Sequence, residues 1–423
     1  MQLKTKFFIP PFLSTYAGLP RGIYALFLAQ IINSAGNFIT PFLTLLLSEK
    51  LGMKADQTGF FVMISLLFQM PGVVIGGKLA DHIGRKAILI TAQTVSALFI
   101  LSCAFIQDIH WLPWLLIGSS IFNGTVKPAT SALTADLTDA ANRRTAFSLT
   151  YLGINLGYAI GPMMAGFLFH EHIRWLFIGD AVTTLIAVAL VQVLVKEDFS
   201  FKETPKAAAI LEANLTHPDE RAEEGSFLQI MGRRPYLSAM ILLLTVYSFI
   251  YNQHSFTVSL DLAHKFGPSG PAFFGTLEMV NALVVVFCST IIVWITRKMR
   301  SLECIALAGL LYGCGFGMYL FTKSLFGFII GTIIWSVGEI LTATNNGAYI
   351  ASHAPISHRA RFTALQTLCQ GTGSCLGPLL MGKYIAGHGI DAVWILVFLI
   401  AAAAGILMYA VSLIEKKHCP IQS

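Results

Sequence analysis

The chain has 423 residues, of which 55% are hydrophobic and only 12% are charged. A water-soluble domain carries about 25% charge, and a mean hydropathy of +0.69 over the whole length makes lipid the solvent for most of this chain. The net charge of +6 therefore makes no case for a nucleic-acid partner and matters through where Lys and Arg sit.

The first 20 residues hold Lys4, Lys6, Pro10, Pro11 and Pro20. They lack the apolar run and small-residue cleavage site of a secretory signal, so the first membrane span is expected to direct insertion. A hydrocarbon core of roughly 30 Å needs about 20 apolar residues per helix. Twelve windows of that kind can be drawn, over 22–48, 57–79, 87–107, 112–138, 145–169, 174–195, 236–262, 271–296, 302–321, 326–351, 361–386 and 391–414. No alternating strand pattern competes with them. The expected fold is an all-α membrane protein with twelve transmembrane helices in two six-helix bundles, residues 1–195 and 236–423.

Residues 196–235 are too polar to enter lipid and read as a cytoplasmic linker, with a short surface helix around Ala207–Leu215. With the N-terminus inside, inner segments hold 21 Lys and Arg residues and outer segments 6, leaving Lys127 within a span. That asymmetry places both termini in the cytoplasm and the chain in the cell membrane. The seven cysteines are scattered through apolar stretches without metal or pairing pattern. No metal, cofactor or catalytic constellation is expected.

The halves repeat at an offset of 216 residues. The run RRTAFSLTYLGINLGYAIGPMMAG from Arg143 aligns with RARFTALQTLCQGTGSCLGPLLMG from Arg359, matching Gly157 to Gly373, Gly161 to Gly377 and Pro162 to Pro378. A duplicated six-span unit predicts two bundles around a central cleft that rock against each other.

After span 2 comes GGKLADHIGRKAIL, which contains Gly77, Asp81, Gly84, Arg85 and Lys86. Its spacing is similar to the loop signature G-x-L-x-D-x-x-G-R-[KR] of the major facilitator family. The near-match to a nucleotide-binding loop in GVVIGGKL fails, because Leu79 stands where a Mg²⁺-binding Ser or Thr belongs. Gly77 permits close helix contact, and Asp81 suits a partner helix N-terminus. The resemblance implies that this partner is span 11 near Arg361, and that the contact latches the cytoplasmic side shut. Asp136 at the inner end of span 4 and Arg143 just beyond it suggest an inner-gate ion pair.

Span 5 carries GYAIGPMMAG, with Gly157, Gly161, Pro162 and Gly166. It resembles the G-x-x-x-G-P-x-x-G-G signature of drug–proton antiporters, with Ala165 replacing one glycine. Small residues suit tight helix packing, and Pro162 removes a backbone hydrogen bond and bends the helix. Across nearly the whole chain the resemblance is nearest to the twelve-span drug–proton antiporter-like family. Locally, VKPATSALTADL, FSLTYLGINLG and YNQHSF are similar to proton-coupled oligopeptide symporters.

Ionisable groups inside lipid cost several kcal/mol and usually line a cavity. Glu339, mid-span 10, is the leading candidate for carrying a proton, with Glu278 in span 8 and Asp180 in span 6 behind it. Lys127, mid-span 4, is placed to bind an anionic substrate group or to pair with a carboxylate such as Glu339. Asn33, Asn37, Asn123, Asn155, Tyr247, Tyr251, Asn281 and Gln370 fall at similar depth and suggest a cleft of mixed polarity. The span 1 acidic residue common in such antiporters is replaced by amides in NSAGNF, and the span 4 Arg of their second signature is absent.

The function expected is proton-driven export of small, drug-like molecules by a protein working as a monomer. Symport of peptides or similar nutrients, a lipid or glycolipid flippase, and a non-transporting receptor are the alternatives.

Overall fold

The computed structural model describes residues 16–139, 142–195 and 223–418, apart from the side chains of 74, 77, 78 and 80–82. The expected surface helix around 207–215 lies outside the described residues. Among the described residues twelve helical passes follow one another and no strand occurs. Spans 2, 3, 4 and 6 are Ala55–Ile83, Arg85–Cys103, Leu112–Asp136 and Ile173–Leu194. Spans 8 to 12 are Gly270–Thr296, Ser301–Gly317, Leu325–His353, Arg359–His388 and Asp391–His418.

The other three passes, drawn as continuous from the sequence, are broken near their middles. Span 1 runs Arg21–Ala35, then Ile39–Leu45 with a final π turn to Lys50. At the break Gly36 meets Thr183 of span 6 so closely that a Cβ there would collide with its side chain. Span 5 stops at Tyr158 and resumes as Gly161–Leu168. Pro162 cannot donate to the Tyr158 carbonyl, and it sits instead in the first turn of the new helix, where an N–H is not needed. Span 7 runs Pro235–Tyr251, tightens through a 3₁₀ turn over Asn252–His254 and continues as Thr257–Phe266. There Asn252 Nδ2 donates to the Ser374 carbonyl of span 11 at 2.8 Å.

Inside the first half, span 1 packs on spans 5 and 6, span 2 on span 4, and span 3 on spans 4 and 6. The second half repeats these pairings: 7 on 11 and 12, 8 on 10, and 9 on 10 and 12. Packing of this kind rests on close surface fit, because lipid tails are as apolar as the side chains they would replace. A short helix, Phe227–Arg233, precedes span 7. Its Phe227 ring meets Phe362 of span 11 at 5.1 Å, and Ser357 Oγ donates to the Glu223 carbonyl at 2.9 Å.

The halves meet along two seams, span 2 with span 11 and span 5 with span 8. Gly59 lies against the Pro378 carbonyl and Gly382 against Ala55; Gly275 lies against the Pro162 carbonyl and Gly166 against Pro271. Each residue of one seam stands 216 positions from its counterpart in the other. The first broken pass adds Phe42, whose ring meets Phe274 of span 8 edge-on at 5.2 Å. All these contacts lie at the end opposite the span 2–3 loop, and that end is closed. Toward the loop end, Tyr151 of span 5 is 50% exposed.

Candidate functional site

Between the halves lies a cavity of about 220 Å³. One wall comes from spans 1, 2 and 4 through Thr40, Thr44, Ser65, Gln69, Ser120 and Asn123. Tyr158 of span 5 and Asn252, His254, Ser255 and Glu278 of the second half complete it. Behind the second wall sits a connected polar cluster. Glu339 accepts from Tyr251 Oη at 2.9 Å and from Asn281 Nδ2 at 2.7 Å. Asn281 Nδ2 also reaches Ser336 Oγ at 2.9 Å. One turn along span 7, His254 Nδ1 meets Glu278 Oε1 at 3.0 Å, and its ring lies 4.6 Å from that of Tyr251. Among the described residues no Lys or Arg pairs with Glu339 or Glu278. Glu339 and Glu278 are thus held by neutral donors and one histidine.

The sequence repeat gives this asymmetry a simple form. Moving back 216 positions turns Glu278, Asn281, Ser336 and Glu339 into Val62, Ser65, Ser120 and Asn123. All four of those first-half residues line the cavity. Equivalent helix positions thus build a neutral hydrogen-bonding wall on one side and an acidic one on the other.

The structure brings Glu339, Tyr251 and Asn281 together and joins Glu278 to His254. His254 was not among the sequence candidates, although the polar run NQHS inside an apolar span marked it. Lys127 is exposed and has no hydrogen bond or ion pair among the described residues. It lies one helical turn beyond Asn123, which continues the stripe of Leu116, Ser120 and Asn123 that faces the cavity. Other candidates are engaged within their own half. Asn37 Nδ2 donates to Tyr158 Oη at 3.1 Å, Asn33 Oδ1 accepts from Thr184 at 3.1 Å, and Asn155 donates to the Tyr151 carbonyl at 2.9 Å. Tyr247 is buried and donates to the Ile305 carbonyl at 2.8 Å. Gln370 is half-buried in span 11 and lies outside the cavity lining.

Asp180 is placed differently from the other two carboxylates. Its Oδ2 accepts from the backbone N–H groups of Phe38 and Ile39, both at 3.0 Å, and so caps the second helix of span 1 at the break. Charged hydrogen bonds of this kind contribute about 1.5–3 kcal/mol each. Asp180→Ala is therefore expected to lower the thermal unfolding midpoint in detergent, while Asp180→Asn, which keeps an acceptor oxygen, recovers most of the loss and keeps transport. Lost proton coupling with an unchanged midpoint in Asp180→Asn would instead make it a proton carrier.

At the loop end, Arg85 forms an ion pair with Asp136 and donates to the Ala132 carbonyl at 3.3 Å. Lys86 donates to the carbonyls of Gln192 and Val195 at the end of span 6, at 2.9 and 2.7 Å. Arg143 donates to the carbonyls of Ala135 and Thr138, both at 3.2 Å. These cations cap the C-termini of spans 4 and 6, where the helix dipole favours positive charge. Gly84 takes φ +110°, a backbone conformation open to glycine, and turns the chain from span 2 into span 3. The side chain of Asp81 and the surroundings of Gly77 lie outside what is described. In span 5, Gly157 and Gly161 pack on span 1 against Ser34 and Ala35, while Pro162 and Gly166 form the seam with span 8.

The family model described as Major Facilitator Superfamily matches residues 26–322 and 254–419. A Na(+), Li(+), K(+)/H(+) antiporter of Planococcus maritimus is 22% identical, over 82% of this chain and 85% of its own length. The multi-drug resistance efflux pump PmrA of Streptococcus pneumoniae is 29% identical over 39% of this chain and 44% of the pump. Among solved structures, a peptide transporter POT in complex with sulfate superposes with a TM-score of 0.75 at 16% identity, covering 94% of this chain and 95% of that one. The last likeness is one of fold.

Proposed function

This chain belongs to the Major Facilitator Superfamily, and we propose that it exports small molecules in exchange for protons by alternating access. The observation that carries this reading is Glu339, a mid-membrane carboxylate held by Tyr251 and Asn281 with no Lys or Arg partner among the described residues. His254 and Glu278 provide a second titratable pair beside it. The neutral wall, with Lys127 next to it, receives the substrate. Residues 1–195 and 236–423 act as the two moving bodies, joined by 196–235. The positive-inside asymmetry supports a reading in which both termini, and the end opposite the seams, face the cytoplasm, and in this reading the protein works as a monomer in the plasma membrane. Asp81 and the start of span 11 near Arg361 form the latch of that side when the halves rock, and the Arg85–Asp136 pair holds the first half's own end together. The antiporter and drug-pump relatives support exchange and export.

Reconstitution into liposomes with an imposed pH gradient, against a panel of organic cations, acids and peptides, tests the proposal. Export predicts substrate movement opposite to the proton flow, abolished by a protonophore. Flux indifferent to the gradient would reject it.

Symport of a peptide or organic acid is the second reading, and Lys127 is the observation that favours it. If Lys127 holds a substrate carboxylate, Lys127→Ala lowers the affinity for acidic substrates about tenfold or more and leaves cationic ones unchanged. Equal effects on both kinds would remove Lys127 from the site.

A further inference from the structure

Beside the seam of spans 2 and 11, at the closed end, is a second cavity of about 520 Å³. Asp56, in the first turn of span 2, and Lys383, in the last turns of span 11, line it. Both stand where the helices end, at the level of the membrane surface. Phe60 and Met63 lie four and seven residues further along span 2. At about 1.5 Å per residue they descend roughly 6 and 10 Å into the apolar layer. Phe60 is 47% exposed, as suits contact with lipid chains. Asp56 Oδ1 is shielded from solvent and finds no hydrogen-bond donor among the described residues. Lys383 is exposed in the same cavity and has no ion pair among the described residues. A shielded acceptor without a donor is costly, and here an unpaired cation lies near it.

We propose that this groove binds the headgroup of phosphatidylethanolamine. Its ammonium N–H groups donate to Asp56, its phosphate meets Lys383, and an acyl chain follows Phe60 and Met63. An amine headgroup fits better than choline, because Asp56 needs an N–H donor and choline has none. The groove adjoins the contacts of Gly59 with Pro378 and of Gly382 with Ala55, so its occupant braces the closed end. The inference rests on the chain spanning a membrane but not on its substrate or ion coupling.

Native mass spectrometry of the full chain, released from nanodiscs holding equal parts phosphatidylethanolamine, phosphatidylcholine and phosphatidylglycerol, tests it. Phosphatidylethanolamine is expected to be retained about tenfold over the other two, the effect of one charged hydrogen bond. Asp56→Asn and Asp56→Ser reduce it to the level of phosphatidylcholine, and either suffices should the other fail to fold. Lys383→Gln lowers all three lipids together, because each carries the phosphate, and Lys383→Arg restores them. Equal retention of the three lipids, a preference for phosphatidylglycerol untouched by Asp56→Asn, an ethanolamine preference that survives Asp56→Asn, or retention unchanged by Lys383→Gln would overturn the assignment.

Discussion

Glu339→Gln leaves a folded protein that no longer uses a pH gradient. The amide keeps the volume of the side chain and an oxygen for Tyr251 Oη, which now lies 2.9 Å from the carboxylate. Asn281 retains Ser336 as an alternative partner at 2.9 Å. What is lost is the ability to be charged when the cleft is wet and neutral when it closes, and charge in a dry site is expensive. Each proton carried down one pH unit supplies about 1.4 kcal/mol. For one-proton exchange, the wild-type chain should therefore build about a tenfold substrate gradient per imposed pH unit, and the variant none. Substrate–substrate counterflow, which needs no net proton movement, should persist. Measured in the same liposomes, the two assays separate a lost proton site from a lost fold. Full gradient-driven accumulation by Glu339→Gln would end the proposed role.

The second large effect is at the seams. Gly59→Val and Gly275→Val each place a branched side chain against a backbone carbonyl, that of Pro378 in the first case and Pro162 in the second. A backbone atom cannot swing aside as a side-chain end can. Overpacking costs about 1–3 kcal/mol in ordinary cores, enough to shift a two-state balance by about tenfold or more. Both variants should disfavour the closed end and sharply reduce turnover. Thiol-reactive labelling of a cysteine placed at Thr44, which lines the cavity, would rise in each. Labelling and turnover equal to those of the parent would show that the seams part without cost.

The twelve passes were legible because an apolar run long enough to cross lipid is a strong signal. Seven stretches of the described residues meet length and apolarity limits on their own. Spans 2, 4, 5 and 11 are not among them; in spans 4 and 11 polar residues such as Asn123 and Lys127, or Gln370 and Thr372, dilute the signal. The repeat read from Arg143 and Arg359 reached further than the aligned stretch. The same offset relates Gly59 to Gly275 and Asn123 to Glu339, pairs that the sequence reading did not use. The breaks in spans 1 and 7 were not foreseen. Gly36 and Asn252 are unremarkable in a list of apolar windows, and only Thr183, Asp180 and Ser374, far along the chain, decide what happens there. Depth along a span was readable, but the direction a side chain takes was not. Glu339, Glu278 and Asp180 looked alike in sequence, yet two join a polar cluster and the third caps a helix.

The contrast between Asn123 and Glu339 bears on how such a protein can change. One ancestral unit, copied, could diverge so that each copy answers to a separate selective demand. Under the proposed reading, substitutions at Ser65, Ser120 or Asn123 would alter what fits without touching Glu339 or Glu278. In that reading cargo range and energy source would drift independently, and a single scaffold would be retuned for new compounds while its motor stays intact.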